Sequence, residues 1–306
     1  MARKLRYIPA PPTLVSITCR TVQGRFLFKP GHAFNDRFLG ILGRAQRRHR
    51  LVLNAVTALS NHFHALAVPE SAGQLAAFMR DVKSKLARET NRLTGWSGPV
   101  FERRYEMTVV TEEDRAQIER LAYVLAQSVK EGLVERVRQW PGVHSAAALI
   151  DGTPLTGHWF DRTREFAARN QREESTPLEF ATEESVILSP IPCWAHLPPE
   201  AYRSRVAALV EKVETEAALA RSLKGLAPLG VKAILAKDPL HRPAVLARSP
   251  APLVHAATKA VRKAFYDAYA WFVAAFREAA ERLRLGDRDA PFPSGSFPPA
   301  LPFVAG

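Results

Sequence analysis

Cysteine is scarce in this sequence, and long apolar runs are missing from it. Only Cys19 and Cys193 occur among 306 residues, far apart and outside any spaced motif. This argues against a disulfide scaffold or a cysteine zinc site and favours a reducing compartment. No apolar run is long enough to span a bilayer, and no apolar signal core follows the basic N-terminus. We therefore expect a cytoplasmic protein with no membrane partner.

Acidic residues are scarce in the first half of the chain. The formal charge is +13, and the isoelectric point is about 10.1. Residues 1–150 hold 23 Lys and Arg against 12 Asp and Glu, whereas residues 151–306 hold 20 against 18. A generally Arg-rich composition would not explain this asymmetry. It predicts a polyanionic partner for the first half.

The first half alternates strand and helix patterns. Apolar and β-branched runs predict strands over residues 14–22, 51–59, 60–68 and 100–110, and helical spacing predicts helices over 33–48 and 73–93. The order β-α-β-β-α-β predicts an α+β, ferredoxin-like antiparallel sheet whose first and third strands are central. A further helix is predicted from Arg115 to Lys130, with Thr111 as its N-cap and Gly132 as its stop signal.

Composition divides the chain into three predicted units. Residues 1–150 form the basic domain, 151–200 a loop-rich linker or wrapping segment, and 201–306 a mainly α-helical extension with a Pro-rich tail. Helices are predicted over 201–226, around 230–236 and over 254–284. The aromatic residues of the last helix are typical of a core rather than of a base-stacking surface.

His62 and His64 belong to the predicted third strand. Side chains alternate along a strand, so both imidazoles share one face while Phe63 takes the other. Two imidazoles about 7 Å apart can converge on one metal ion. Alone, the pattern favours two half-buried histidines.

Tyr123 and Gln127 lie four residues apart on the following helix and therefore on nearly one face. A metal held by two imidazoles needs a further protein ligand and open positions for substrate. Gln127 can supply an amide oxygen, and Tyr123 a nucleophile. Alternatively, Tyr123 is a core tyrosine and Gln127 a solvated helix residue. The occurrence of both residues together with His-x-His favours a functional site over these alternatives. Tyr105, the rival nucleophile, is interpreted as phosphate-contacting or packing.

Four segments in order resemble the REP-associated tyrosine transposases, which belong to the HUH superfamily of single-strand transposases and nucleases. The segments are SNHFH at 60–64, VFERRY at 100–105, YVLAQSVKEGLV at 123–134 and WPGVHS at 140–145. The resemblance covers roughly residues 10–150. One departure is Gln127-Ser128-Val129, where the family usually has Asn-Pro-Val. Without the proline we expect a more regular helix.

The resemblance implies a domain in which His62, His64 and Gln127 hold a divalent ion. Tyr123 would attack phosphorus, leaving a 3′-hydroxyl and a 5′-phosphotyrosine that can be reversed without ATP. Ligand preferences alone would favour zinc for two histidines, whereas the resemblance implies Mg²⁺ or Mn²⁺.

The implied partner is single-stranded or hairpin DNA, bound by a monomer or a homodimer that is nucleoid-associated when on DNA. Trp96, in a Gly-flanked loop, can stack on a base. The candidate phosphate contacts are basic residues of the first half, and each is alternatively a solvated surface charge: Arg20, Arg44, Arg47, Arg48, Lys83, Lys85, Arg88, Arg92, Arg103 and Arg104.

The sequence therefore predicts a DNA transposase and single-strand-specific endonuclease. The first alternative is a catalytically inactive, domesticated DNA-binding regulator on the same fold. A His-x-His metallohydrolase that uses activated water is a further alternative, and the few acidic residues near the motif count against it.

Overall fold

The structure is a computed structural model that describes residues 4–10, 12–171, 175–244, 252–297 and 299. Its first 110 residues follow the order β-α-β-β-α-β. The elements are β1 (Leu14–Arg20), α1 (His32–His49), β2 (Val52–Leu59), β3 (His62–Val68), α2 (Ala72–Thr94) and β4 (Glu106–Val110).

The strands form an antiparallel sheet in the order β2-β3-β1-β4, so β1 and β3 are central. A short strand from the second half, β7 (Val254–His255), extends the sheet by pairing in parallel with β4. The predicted α+β fold, with its ferredoxin-like strand order, is confirmed. In the register of β1 and β3, Thr18 lies opposite His64 and Arg20 opposite His62.

Alternation along β3 divides the sheet into two faces. Phe63, Ala65 and Ala67 are buried in a core with α1 and α2, and we call this side the helix-pair face. Leu66 and both histidines point the other way, and we call that side the histidine face. Leu66 is buried there against α3 (Asp114–Leu125) and α4 (Gln127–Lys130).

The segment that carries Tyr123 consists of α3 and α4, which together we call the tyrosine helix, and it differs from the prediction at its N-cap and in its continuity. Glu113 is the N-cap residue, and Thr111 donates its hydroxyl to the Glu113 carboxylate at 2.8 Å instead of capping. The helix is interrupted at Ala126 although no proline is present. The Gln127 side-chain Nε2 donates to the Tyr123 carbonyl at 2.8 Å, where it competes with the backbone N–H of an uninterrupted helix. Gly132, with φ of 66°, ends the segment as predicted.

The predicted fourth strand is too long. Pairing before β4 is limited to one bridge between Phe101 and Thr21. Residues 102–104 form a bend, because the Arg103 carbonyl accepts from Lys83 Nζ at 2.7 Å instead of from a neighbouring strand. Arg103 and Arg104 therefore do not lie on a strand.

The prediction of loops over residues 151–200 is also wrong in part. α5 (Ala146–Asp151) ends where this stretch begins, and the stretch itself contains β5 (Leu155–Phe160), α6 (Arg162–Asn170) and β6 (Ala181–Val186). β5 and β6 form an antiparallel hairpin against α1. A Cβ at Gly40 would lie 2.1 Å from the His158 carbonyl carbon, so the helix must carry glycine there. The division of the chain at residues 150 and 200 stays a prediction.

The last part of the chain contains α7 (Pro199–Ser222), α8 (Val231–Ala236) and α9 (Lys259–Arg284). The predicted helix over 254–284 begins late, because β7 precedes it and the Thr258 side chain caps it by accepting from Val261 N–H. Phe272 of α9 is buried as expected, but Trp271 is 69% exposed. Residues 298 and 300–306 of the Pro-rich tail lie outside the described residues. Within the described ranges, no helix combines the length and the apolar content needed to cross a membrane.

Candidate active site

His62 and His64 stand side by side on the histidine face. Their ring centroids are 4.9 Å apart, and the rings are nearly perpendicular. His64 Nδ1 is 2.9 Å from the Thr18 hydroxyl, and His62 Nδ1 is 2.7 Å from Asn61 Oδ1. Each ring is thus held through Nδ1, which leaves Nε2 for another ligand.

Both imidazoles are neutral near neutral pH. Burial, and then the charge of Arg20, lowers the pKa of His62 to about 4. Burial lowers the pKa of His64 well below its ordinary value, assisted by His62 and by the charges of Arg120, Arg20 and Lys130. Neutral imidazoles offer the lone pair that a metal ion or a proton requires.

The tyrosine helix brings its two predicted residues to these histidines. The half-buried Tyr123 ring meets the His64 ring edge to face, with centroids 5.3 Å apart. Gln127 is 2% exposed, and its amide lies close enough to His62 to oppose the lowering of the His62 pKa. His62, His64, Tyr123 and Gln127 therefore lie together, from two elements that are far apart in sequence.

Two cations flank the tyrosine, and neither was predicted from the sequence as a site residue. The Arg120 guanidinium lies 4.7 Å and the Lys130 ammonium 5.0 Å from the Tyr123 ring centroid. Burial lowers the pKa of Arg120, and its Nε has no hydrogen-bond partner in the part of the chain that the structure describes. Arg120 lies three residues before Tyr123, and that helical spacing was the signal that could have identified it.

The donor atoms suit a divalent cation. Asn61 Oδ1 accepts from His62 Nδ1–H, and Gln127 Nε2 donates to the Tyr123 carbonyl. His62 Nε2 and Gln127 Oε1 carry lone pairs, so these two residues would supply ligand atoms to a divalent cation. Among the described residues no group of three or more His, Cys, Asp and Glu could hold a metal, so any metal set here depends on the glutamine.

The segment after α4 fixes the tyrosine helix against the sheet. Trp140 Nε1 donates to the Ala58 carbonyl of β2 at 2.9 Å. His144 accepts the Ala146 N–H at Nδ1, so its Nε2 carries the proton and donates to the Leu125 carbonyl at 3.0 Å. Burial lowers the pKa of His144 to about 4. This Trp-Pro segment thus acts as a positioning clamp.

Most predicted phosphate contacts lie away from these residues. Arg20 stands beside His62 on the histidine face, but the basic residues of α1 and α2 belong to the helices that cover the opposite face. Several already have partners: Arg44 and Arg47 bind Glu184 of β6 at 3.0 and 2.8 Å, Arg48 binds Asp81, Arg92 lies 3.9 Å from Glu89, and Arg103 binds Glu106.

The remaining basic candidates differ in their surroundings. Lys85 and Arg88 are exposed on α2 without an ion pair to any described residue. The Arg104 guanidinium donates to the Lys4 carbonyl at 3.2 Å. DNA contact by the basic candidates stays a prediction.

The two predicted aromatic contacts are both packed. The half-buried Trp96 ring has the Arg25 guanidinium 4.8 Å above it, and its Nε1 donates to the Pro99 carbonyl at 3.2 Å. Its base stacking stays a prediction. Tyr105 is 6% exposed, and burial raises its pKa to about 12. Tyr105 is therefore a packing residue, as one of its two interpretations had it.

No family model matches the chain, and no curated protein matches it. Among solved structures, a REP-associated tyrosine transposase bound to a REP hairpin matches at 17% identity with a TM-score of 0.40, covering 49% of this chain and 86% of that one. A protein of Deinococcus radiodurans R1 described as a candidate transposase matches at 18% identity with a TM-score of 0.28, covering 40% and 96%. Both structural likenesses are distant.

Proposed function

We propose that the chain is a DNA transposase and single-strand endonuclease that cleaves and rejoins DNA through a 5′-phosphotyrosine. One observation supports this above all others. A tyrosine, two neutral imidazoles and a glutamine amide converge from β3 and the tyrosine helix, with Arg120 and Lys130 against the tyrosine ring. Motif resemblance to the REP-associated tyrosine transposases indicates single-stranded or hairpin DNA as the substrate.

Tyr123 is the nucleophile in this proposal. Its phenolic oxygen loses its proton to solvent and forms a bond to the scissile phosphorus. The bond from phosphorus to the 3′ oxygen breaks, and that oxygen takes up a proton to become a 3′-hydroxyl. The covalent link keeps the phosphoester bond energy, so a 3′-hydroxyl can reverse the step and join new ends.

The surrounding charges stabilise the reacting phosphate. Negative charge grows on the phosphate oxygens in the transition state, and fixed donors that meet it there lower the barrier. The buried Arg120 Nε–H, which lacks a protein partner among the described residues, is such a donor. Lys130 and Arg20 add positive charge. A magnesium or manganese ion held by His62, His64 and Gln127 would polarise the same phosphate when bound.

A Tyr123→Phe protein tests this proposal directly. The probe is a labelled single-stranded hairpin oligonucleotide from DNA that flanks the gene, incubated with Mn²⁺ and run on a denaturing gel. The wild type should give a covalent adduct, and Tyr123→Phe should give none while binding the hairpin within threefold of wild type. The control variant Tyr105→Phe, which alters a packed tyrosine, should still form the covalent adduct. An undiminished adduct with Tyr123→Phe would remove that residue from the mechanism.

The second candidate is a catalytically inactive DNA-binding regulator. Burial lowers the pKa of His64 most, but the charges of Arg120, Arg20 and Lys130 lower it further, and the same positive field opposes the binding of a cation. The glutamine that replaces the family's usual asparagine favours this candidate too. It predicts salt-sensitive DNA binding with no adduct in either Mg²⁺ or Mn²⁺.

A further inference from the structure

A groove of about 520 Å³ lies between the tyrosine helix and α7, and Tyr123 is one of the residues that line it. Tyr123, Ala126 and Lys130 line one wall, and Ala217, Ala220 and Lys224 line the other. The second wall belongs to the extension beyond residue 200. One groove therefore joins the nucleophile to a part of the chain outside the ferredoxin-like unit.

The two walls are fixed relative to each other. Arg221 Nη1 donates to the Val129 carbonyl at 3.0 Å. Beyond α7, the backbone N–H groups of Leu229 and Gly230 donate to the carbonyls of Gly132 and Leu133 at 2.8 and 2.9 Å. These hydrogen bonds join the segment around α4 to the end of α7 and the residues that follow it, and so fix one wall of the groove against the other.

The lining combines small apolar side chains with limited positive charge. Ala217 and Ala220 lie three residues apart on α7 and leave an apolar surface without bulk. Lys130, Arg221 and Lys224 also line the groove, but so do Glu131 and Glu216. This balance suits one base with one phosphate, whereas a track for several phosphates would need a larger excess of cations.

We infer that this groove binds the nucleotide next to the scissile phosphate. Its base lies on Ala217 and Ala220, and its phosphate lies near Lys130 and Lys224. A strand whose phosphate meets Tyr123 must continue past the residues around that side chain, and Tyr123 itself lines the groove. This inference rests on the proposed role of Tyr123, and it gives the helical extension a direct part in holding the DNA strand.

A bulky side chain in the groove provides the test. Ala220→Trp fills the α7 wall, whereas Ala218→Trp on the same helix is exposed outside the groove and serves as the control. Both are made in a Tyr123→Phe background, and their binding to the labelled hairpin oligonucleotide is measured by fluorescence anisotropy. We expect Ala220→Trp to weaken binding about tenfold and Ala218→Trp to change it less than twofold.

The DNA side locates the affected nucleotide. A series of oligonucleotides carries one abasic position each, placed stepwise on the 5′ and 3′ sides of the cleavage point. Their binding is compared between the wild-type groove and the Ala220→Trp groove. At one flanking position the abasic change should weaken wild-type binding and no longer affect the variant. Lys224→Glu should weaken the same complex at least threefold, and Lys232→Glu, on α8 outside the groove, should not.

The outcomes separate this inference from the proposed function. If the wild type forms no adduct but Ala220→Trp and Lys224→Glu weaken binding, the nuclease proposal fails and the groove still binds DNA. If the adduct forms and neither groove variant differs from its control, the groove is not a nucleotide site. Loss of self-association in Ala220→Trp with unchanged DNA binding would instead identify the groove as a contact between two copies, and would overturn the inference.

Discussion

The two faces of the sheet use positive charge in different ways. On the helix-pair face, Arg44 and Arg47 bind Glu184 and thereby fasten the β5–β6 hairpin to α1. On the histidine face, Arg120 is half-buried beside Tyr123 and its Nε–H has no partner among the described residues. A count of basic residues does not separate these cases. A buried donor without a partner is costly in a folded protein, and it therefore indicates a ligand more strongly than an exposed charge does.

The largest effect that tests this difference between the two faces is expected at Arg120. Because an unpaired donor at the reacting phosphate acts on the transition state, Arg120→Ala should slow adduct formation by about 100-fold or more. The rate is measured from single-turnover time courses with the hairpin oligonucleotide in Mn²⁺. Arg120→Lys, which keeps the charge and loses the planar donors, should fall between wild type and Arg120→Ala.

Arg115→Ala is the matched control for that experiment. Arg115 lies on the same helix, its side chain is 78% exposed, and it forms an ion pair with Glu119 at 2.8 Å. Its loss should change the adduct rate less than twofold. Equal rates for Arg120→Ala and Arg115→Ala would mean that the histidine face has no catalytic cation at this position.

Sequence patterns predicted the sheet well because its information is local. The alternation of Phe63, Ala65 and Ala67 with the two histidines set the faces, and the β-α-β-β-α-β order set which strands are central. Helical spacing brought Tyr123 and Gln127 together for the same reason. These features need only residues that are close in sequence, together with one known topology.

Tertiary contacts account for what the sequence did not predict. The hairpin after residue 154 is stabilised by α1, whose Gly40 permits backbone contact, and by Glu184, whose partners are over a hundred residues away. β7 has two residues and exists only because β4 offers an edge. No local pattern contains these partners.

A second prediction concerns the neutral histidine that clamps the tyrosine helix. Burial lowers the pKa of His144 to about 4 in the folded protein. In the unfolded chain this histidine is protonated below about pH 6.5, whereas in the folded chain it is protonated only below about pH 4. Stability should therefore fall as the pH falls through this window, by up to about 3 kcal/mol for this residue.

Denaturant unfolding at pH 7 and pH 4 measures this effect. His144→Gln should remove its part of the difference and give a shallower pH dependence, whereas His196→Gln, at an exposed position, should leave the wild-type dependence. The same pH dependence in His144→Gln as in wild type would mean that the clamp histidine is not held neutral.

A third prediction tests whether the β5–β6 hairpin on the helix-pair face only stabilises the fold and takes no part in the reaction. Gly40→Ala places a methyl group against the His158 backbone and should destabilise the protein by about 2 kcal/mol. Gly31→Ala, with nothing within 4 Å of the added carbon, is the control. Below its lower melting temperature, Gly40→Ala should form the adduct at the wild-type rate. Slower adduct formation at a temperature where the variant is fully folded would mean that the hairpin contributes to the reaction.

The smallest effect is expected at Arg47. Its side chain is 64% exposed and already pairs with Glu184, so Arg47→Ala should lower the free energy of unfolding only slightly. Because its donors are engaged, the same change should weaken hairpin binding less than threefold at about 0.15 M salt, whereas Arg20→Ala, beside His62, should weaken it more. A tenfold loss of binding on removing Arg47 would mean that DNA displaces Glu184 as its partner. The helix-pair face would then be a second DNA surface, and pairing within the protein would no longer distinguish the two faces.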